Sequence, residues 1–312
     1  MYEGKTVAVV IPCYNEELHV REVVETLPEW IDLVVAIDDA SGDRTNEVLE
    51  SLSISNPKLY VIRNSQNKGV GGSIKVGYRF ALSKGIDIFC VMAGDGQMDP
   101  EFLEMLVSPI SDGIVKITKG NRFYSTSSMK GMPVLRIFGN VVLTFLTKIA
   151  SGYYELRDPQ NGYVCTSRQA LESIELESLE ERYDFENDFL CKAGAVGLPL
   201  MDVNIPAKYE NEKSTMVIHK TAPRISKTLL KGFFRRIFSR VALTQRPELA
   251  ALVLWNIFFW IMFVISSAWI SYHSVGNKSA SAGTIGADLV ILILSLFSTL
   301  LAIIVDSRRF KY

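Results

Sequence analysis

Along the first hundred positions, apolar residues fall into short runs separated by polar stretches. Thr6 to Pro12, Leu33 to Ile37, Leu59 to Arg63 and Ile88 to Met92 read as strands, the first as a strand buried on both faces. Glu16 to Leu27, Arg44 to Leu52 and Gly72 to Lys84, which separate them, read as helices. This alternation predicts a parallel, doubly wound sheet with right-handed crossovers. Such sheets bind ligands past the carboxyl ends of their strands. The segments found there are Pro12 to Glu16, Asp38 to Asp43, Asn64 to Gly72 and Ala93 to Gln97.

After residue 215 the pattern changes. Leu249 to Tyr272 and Ile285 to Val305 are mostly apolar and lack Lys and Arg, with Asp288 their one charge. Each is long enough to cross a hydrocarbon core roughly 30 Å thick. Lys220 to Arg246 holds eight Lys/Arg and no acid, and the tail reads Arg308-Arg309-Phe310-Lys311. The loop from His273 to Thr284 has Lys278 alone, so the positive-inside rule predicts a multi-pass protein with both termini cytoplasmic, at the plasma membrane in a prokaryote. Asn277-Lys-Ser279 matches a glycosylation sequon and is taken as coincidence so near the membrane. In Pro223 to Val241, Ile225, Leu229, Phe233, Ile237 and Val241 recur every four residues, with Leu230, Phe234 and Phe238 alongside and cations elsewhere. A helix lying in the membrane interface is expected, the competing reading being a basic helix packed on the soluble domain. The bilayer is its nearest polyanion, and no nucleic-acid partner is expected. The expected organisation is a cytoplasmic domain at 1–218, a basic juxtamembrane region at 219–247 and a two-helix anchor at 248–312, with spans at about 249–272 and 285–305.

Composition adds little to this. The 33 basic and 34 acidic residues cancel, and the 48% hydrophobic content averages two unlike regions. Cys13, Cys90, Cys165 and Cys191 form no CxxC pair and are expected as buried, reduced thiols. Met1 to Thr6 leads straight into a strand, and no signal peptide is expected.

Candidate chemistry centres on Val91-Met-Ala-Gly-Asp-Gly-Gln-Met-Asp-Pro100. Asp95 and Gln97 offer a carboxylate and an amide oxygen just past a buried strand, a pair that can hold a divalent cation bridging to a diphosphate. An ordinary Asp-Gly turn is the plainer reading. Gly69, Gly71 and Gly72 follow the third strand at the wrong spacing for a dinucleotide fingerprint, and are expected to let backbone approach a ligand.

Over about residues 5–215, these ordered motifs resemble the family-2 glycosyltransferases, which have the nucleotide-diphospho-sugar (A-type) α/β fold. More narrowly, the chain is similar to the polyprenyl-phosphate glycosyltransferases, the dolichol-phosphate mannose synthase group. The resemblance implies roles residue by residue. Pro12, Tyr14, Asn15 and Glu16 match a Pro-x-Tyr-Asn-Glu motif, with Tyr14 near the base and Glu16 on the nucleotide; alone, Asn15-Glu16 would pass as a helix cap. Asp38, Asp39, Ser41 and Asp43 match the second motif, with Asp39 accepting from the base. Lys68, Gly71, Gly94 and Asp95 complete the expected nucleotide-sugar site. The family's metal loop is usually Asp-x-Asp-x-Gln; here Ala93 replaces the first Asp, leaving Asp95 and Gln97 for Mg²⁺ or Mn²⁺, and Asp99 is expected to cap the next helix. Arg122, Arg136 and Asn140 would hold acceptor phosphate, Arg by its planar fork, although Arg136 alone reads as a surface charge. Asp158 and Asp188 match acidic positions beside the acceptor. Glu186 neighbours Asp188 but faces another way on a helix. Residues 206–216, with Lys208, Lys213 and Ser214, resemble a segment that closes over the donor, and otherwise read as a polar linker.

The resemblance thus implies a catalytic set of Asp95, Arg122, Arg136, Asp158 and Asp188. The expected activity is inverting transfer of a hexose from a UDP- or GDP-sugar to a polyprenyl phosphate, the two-span tail favouring UDP-glucose; a homo-oligomer is compatible with this. Processive polysaccharide synthases share the catalytic domain but carry Gln-x-x-Arg-Trp, whereas Gln245-Arg-Pro lies outside the domain and lacks the Trp. A binding protein without turnover is the remaining alternative, prompted by Ala93.

Overall fold

The computed structural model describes residues 1–123, 134–206, 218–244, 247–275 and 281–307. They form two compact units, Met1–Arg236 and Ile237–Tyr312. The first holds β1 (Val7–Cys13), α1 (Val20–Glu25), β2 (Leu33–Asp38), α2 (Thr45–Ser55), β3 (Leu59–Arg63), α3 (Val70–Ser83), β4 (Ile88–Val91), α4 (Leu103–Ser111), β5 (Ile117–Asn121), α5 (Val134–Ser151), β6 (Val164–Ser167), α6 (Arg168–Ser173), α7 (Phe185–Val196) and β7 (Leu200–Asn204). The helix α8 (Ile218–Thr244) crosses the boundary, and α9 (Pro247–Val275) and α10 (Ala282–Ser307) follow.

β2 and β4 are buried along their whole length and β1 nearly so, as strands covered on both faces must be. The sheet order is β3-β2-β1-β4-β6-β5-β7. The expected all-parallel sheet is corrected in one respect: β6 runs antiparallel to both β4 and β5. That reversal brings the chain entering β6, residues 158–163, to the edge where β4 and β5 exit. Gly120 N–H donates to the Tyr163 carbonyl there, at 2.9 Å. The helix expected from Glu16 begins instead at Val20. Asn15 has φ +59°, and the N–H groups of Asn15, Glu16 and Glu17 donate to Ser41, Thr45 and Asp43 side chains at 3.0, 2.8 and 3.2 Å. Tied to the loop after β2, residues 15–17 cannot enter the helix.

The first part of α8 packs on this unit, which corrects the placing of its Ile225 stripe in lipid. Ile225 and Leu229 are buried with Ala150 and Cys191, while Leu143 and Phe233 close the cluster. Arg224 and Thr228 bind Asp184 at 3.2 and 2.9 Å. Arg236 is only 1% exposed, and it donates to the Ala150 and Ile149 carbonyls at 3.0 and 2.6 Å. Those carbonyls end α5, where a cation also suits the helix dipole. Gly152 follows in a left-handed conformation (φ +81°), and a Cβ there would stand 2.7 Å from Arg236 Nη1. A Cβ on Gly194 would likewise strike the Ser151 carbonyl, so α7 crosses the end of α5 at backbone distance.

In the second unit, Asn256 donates to Ser298 and Thr299 at 3.1 and 2.6 Å, and the Trp260 indole N–H donates to Thr299 at 3.0 Å. Ala251–Tyr272 and Gly283–Ala302 are long and apolar enough to cross a membrane, and they are 0% and 11% buried. Helices so exposed are not the core of a soluble domain; they associate with a membrane. All four cysteines are free and buried, as expected.

Replacing Arg236 by Met strands the two carbonyls that end α5. The substitution should destabilise the first unit by about 3 kcal/mol. Thermal unfolding of the full chain in detergent tests this, and an unchanged melting temperature would contradict the capping role.

Candidate active site

The strand exits are laced together. Asp39 N–H donates to the Cys13 carbonyl at 2.8 Å, and Gly94 N–H to the Pro12 carbonyl at 3.3 Å, so the loops after β1, β2 and β4 form one edge. A Cβ on Gly94 would lie 2.9 Å from Cys13 Sγ and 3.5 Å from Glu16 Cγ, which sets the Asp95 loop directly beside Glu16. Tyr14 stands at the rim, 51% exposed. Among the Asp43 contacts, burial would raise its pKa, but hydrogen bonds from Thr45 and the Glu17 N–H outweigh it and keep the carboxylate ionised.

Asp95 and Gln97 are half-buried in this loop, and Asp95 Oδ1 accepts from Gln97 N–H at 3.0 Å. Both bring hard oxygen donors, which fit Mg²⁺ or Mn²⁺. Among the described residues no three of His, Cys, Asp and Glu gather as a metal cluster. A donor set this small suits a cation that takes most of its shell from substrate phosphates and water. Asp99 accepts from Glu101 N–H at 2.9 Å and so caps the 3₁₀ turn Pro100–Phe102, as expected.

Three groups expected at the substrate already have protein partners. Asp39 is buried, and its carboxylate already accepts from Asn64 Nδ2, Lys68 N–H and Gly69 N–H at 2.8, 2.9 and 2.7 Å. It folds the 64–69 loop around itself, and Lys68 contributes its backbone there. The glycines lie close against protein. A Cβ on Gly69 would meet the Glu181 carbonyl at 2.7 Å, and one on Gly71 would meet Phe185 at 2.6 Å. Asp188, expected beside the acceptor, is a helix anchor: buried, it binds Lys192 at 2.7 Å, the Glu180 N–H at 3.1 Å and Arg235 of α8 at 3.6 Å.

Arg122 and Asp158 pair directly. Asp158 is fully buried and accepts Arg122 Nε at 2.7 Å and Nη2 at 3.2 Å, with the Arg122 N–H at 3.2 Å. This bidentate clamp fixes the plane of the guanidinium, whose side chain keeps 29% exposure. Arg136 lies in the first turn of α5, but its side chain is outside the described residues, as are Lys208, Lys213 and Ser214. Asn140, half-buried, follows one turn along α5. Glu186 stands closer to the site than its sequence context suggests. Its Oε1 lies 3.8 Å from where a Gly162 Cβ would stand, and Met98 of the Asp95 loop approaches that same point at 3.1 Å. Burial raises the Glu186 pKa, partly offset by Lys119. Lys119, itself buried, donates to the Asn161 carbonyl and has its pKa lowered by burial. No motif marks Lys119, because a cation inside an apolar strand pattern reads as an edge position.

The family Glycosyl transferase family 2 matches residues 8–174. The chain is a family 2 glycosyltransferase. This glycosyltransferase is 30% identical over 218 residues to a UDP-N-acetylglucosamine–dolichyl-phosphate N-acetylglucosaminyltransferase of Methanococcus voltae, covering 66% of this chain and 86% of that protein. It is 28% identical over 204 residues to an undecaprenyl-phosphate mannosyltransferase of Micrococcus luteus, covering 64% and 82%. Its fold is shared with the Mycobacterium tuberculosis glucosyl-3-phosphoglycerate synthase solved with Mn²⁺, UDP and glucosyl-3-phosphoglycerate (TM-score 0.56, 20% identity, 73% and 80% covered). The two curated relatives are named as polyprenyl-phosphate sugar transferases, and the enzyme has the A-type fold.

Beneath the site, burial pushes the Asp202 carboxyl up to about 6. A carboxyl raised in the folded state favours the protonated form, so its stabilising contribution is complete below about 3.9 and is lost as pH rises to about 6. Asp202→Asn keeps an acceptor for the Arg157 N–H now held at 2.6 Å. The variant should melt higher than wild type at pH 7 and no higher at pH 4. Equal gains at both would contradict the assignment.

Proposed function

We propose that this glycosyltransferase moves a hexose from a UDP- or GDP-sugar to a polyprenyl phosphate at the cytoplasmic membrane face, inverting the anomeric centre. The observation that carries this reading is the Arg122–Asp158 clamp at the edge that also bears Asp95 and Gln97: one locked cation beside a metal loop suits two phosphate groups meeting. The names of the relatives support the acceptor class, and the apolar α9 and α10 support a membrane-held enzyme.

Asp95 and Gln97 would hold Mg²⁺ or Mn²⁺, which when bound neutralises charge on the departing nucleoside diphosphate. Pro12 and Tyr14 adjoin the base, on which Tyr14 stacks, and Glu16 contacts the nucleotide. Lys213 and Ser214 contact the donor phosphates. Arg122, with Arg136 and Asn140, holds the acceptor phosphate in line with the anomeric carbon. A phosphate monoester is largely dianionic at neutral pH, its second pKa lying near 6, and so attacks without giving up a proton. Asp158 therefore orients Arg122, and Asp188 holds α7 against α8.

Purified full-length enzyme, incubated with polyprenyl phosphate, Mg²⁺ or Mn²⁺ and a panel of labelled UDP- and GDP-sugars, should yield a labelled lipid from at least one donor. Asp95→Asn should lower that rate by about 100-fold. Absence of lipid product from every donor, with the chain folded, would falsify the synthase reading.

A further inference from the structure

A charge buried inside a sheet destabilises it unless a nearby group gains by that charge. Lys119 stands in the middle of β5, only 2% exposed, in a strand buried along its whole length. Its register partner on β7 is Asp202, so two ionisable side chains lie next to each other on one face of the sheet. Both reach out of the strand pattern to the same loop. Lys119 Nζ donates to the Asn161 carbonyl, and Asp202 accepts the Arg157 N–H at 2.6 Å. Residues 157 and 161 flank Asp158, whose carboxylate clamps Arg122 at 2.7 and 3.2 Å. The loop that carries Asp158 is therefore gripped on both sides, from β5 and from β7.

Asn161 is fixed from two further directions. Its Nδ2 donates to the Gly120 carbonyl at 2.9 Å, and its Oδ1 accepts the Tyr163 N–H at 3.1 Å. A Cβ on Gly120 would stand 2.7 Å from that Nδ2, so glycine lets the loop lie this close to β5. The stretch Lys119 to Arg122 thus supplies the loop's anchor, its clearance and the guanidinium that the loop orients. Burial lowers the Lys119 pKa, while Glu186, Asp158 and Asp202 act to keep the ammonium charged. A methionine at 119 would satisfy the strand, but it would leave the Asn161 carbonyl without this donor and the carboxylates without this cation.

We propose that Lys119 is a positioning residue for the acceptor phosphate. By holding the Asn161 carbonyl it fixes the 158–161 loop, and Asp158 on that loop keeps the Arg122 guanidinium in one orientation. The part played by the phosphate rests on the function proposed above; the hold of Lys119 on the loop does not.

Lys119→Met and Lys119→Gln, made in the full-length enzyme in detergent, test this by amide hydrogen exchange and steady-state kinetics. In Lys119→Met the peptide spanning 158–163 should exchange about 10-fold faster, while β1 and β2 exchange as in wild type. Its kcat/KM for polyprenyl phosphate should fall about 10-fold, with the KM for the nucleotide sugar changed by less than about two-fold. Lys119→Gln keeps an N–H donor without the charge and should show smaller changes in the same readouts; it decides the question if Lys119→Met does not fold. Unchanged exchange at 158–163 in the folded variant would overturn the proposal. So would equal rises in KM for both substrates, which mark a general structural role. If the wild type forms no lipid product from any donor, the proposed function fails, and exchange at 158–163 alone decides whether Lys119 holds the loop.

Discussion

A strand buried on both faces has no room for an unpaired charge, and β1, β2 and β4 lie at the centre of this sheet under that constraint. Their polar residues can stand only where the strands end. The carboxyl edge therefore gathers Tyr14 to Glu16, Asp38 to Asp43 and Asp95 to Gln97 within reach of one another. The antiparallel β6 adds the entering segment with Asp158 to the same edge, which a parallel strand would have carried to the opposite one. Fold and site are in this sense one consequence of burial.

The first four strands were legible because a short, unbroken apolar run between polar loops fits a buried strand and is too brief for a buried helix. Asp95 and Gln97 were legible for the same reason, being the polar residues just beyond such a run. Pairings across the chain were not legible. Asp188 reads as an acceptor-side acid until Lys192 and Arg235 are seen on it. Asp39 reads as a base ligand, and nothing in the sequence shows that the Asn64 amide and two backbone N–H groups also donate to its carboxylate. Gly69 and Gly71 suggested ligand contact because an open backbone looks the same in sequence whether nucleotide or residues 180–185 lie against it. The direction of β6 was likewise hidden, since the pattern of a short buried strand carries no sign of its sense.

α8 shows how one periodicity can serve two surfaces. Its every-fourth-residue stripe predicted a single apolar side for lipid. The structure divides the helix: Ile225 and Leu229 lie against the domain, while Leu230 and Phe234 face outward. Its cations divide too, with Arg224 and Arg235 paired to buried carboxylates and Arg236 capping α5, while Lys227 and Lys231 remain exposed. In α8 Arg serves the paired positions because its fork satisfies several acceptors at once, and Lys stays at the surface where one hydrated charge suffices.

In the proposed function Asp158, Asp188 and Glu186 hold structure and cations in place, and none takes a proton from the acceptor. The pH dependence of kcat/KM for polyprenyl phosphate tests it most directly, measured for the wild type and for Asp158→Asn, Asp188→Asn and Glu186→Gln. The account predicts an ascending limb set by the acceptor phosphate, near pH 6, that keeps its position in all three variants even where the rate falls. An ascending limb that vanishes in one of them would identify that carboxylate as a general base and contradict the account.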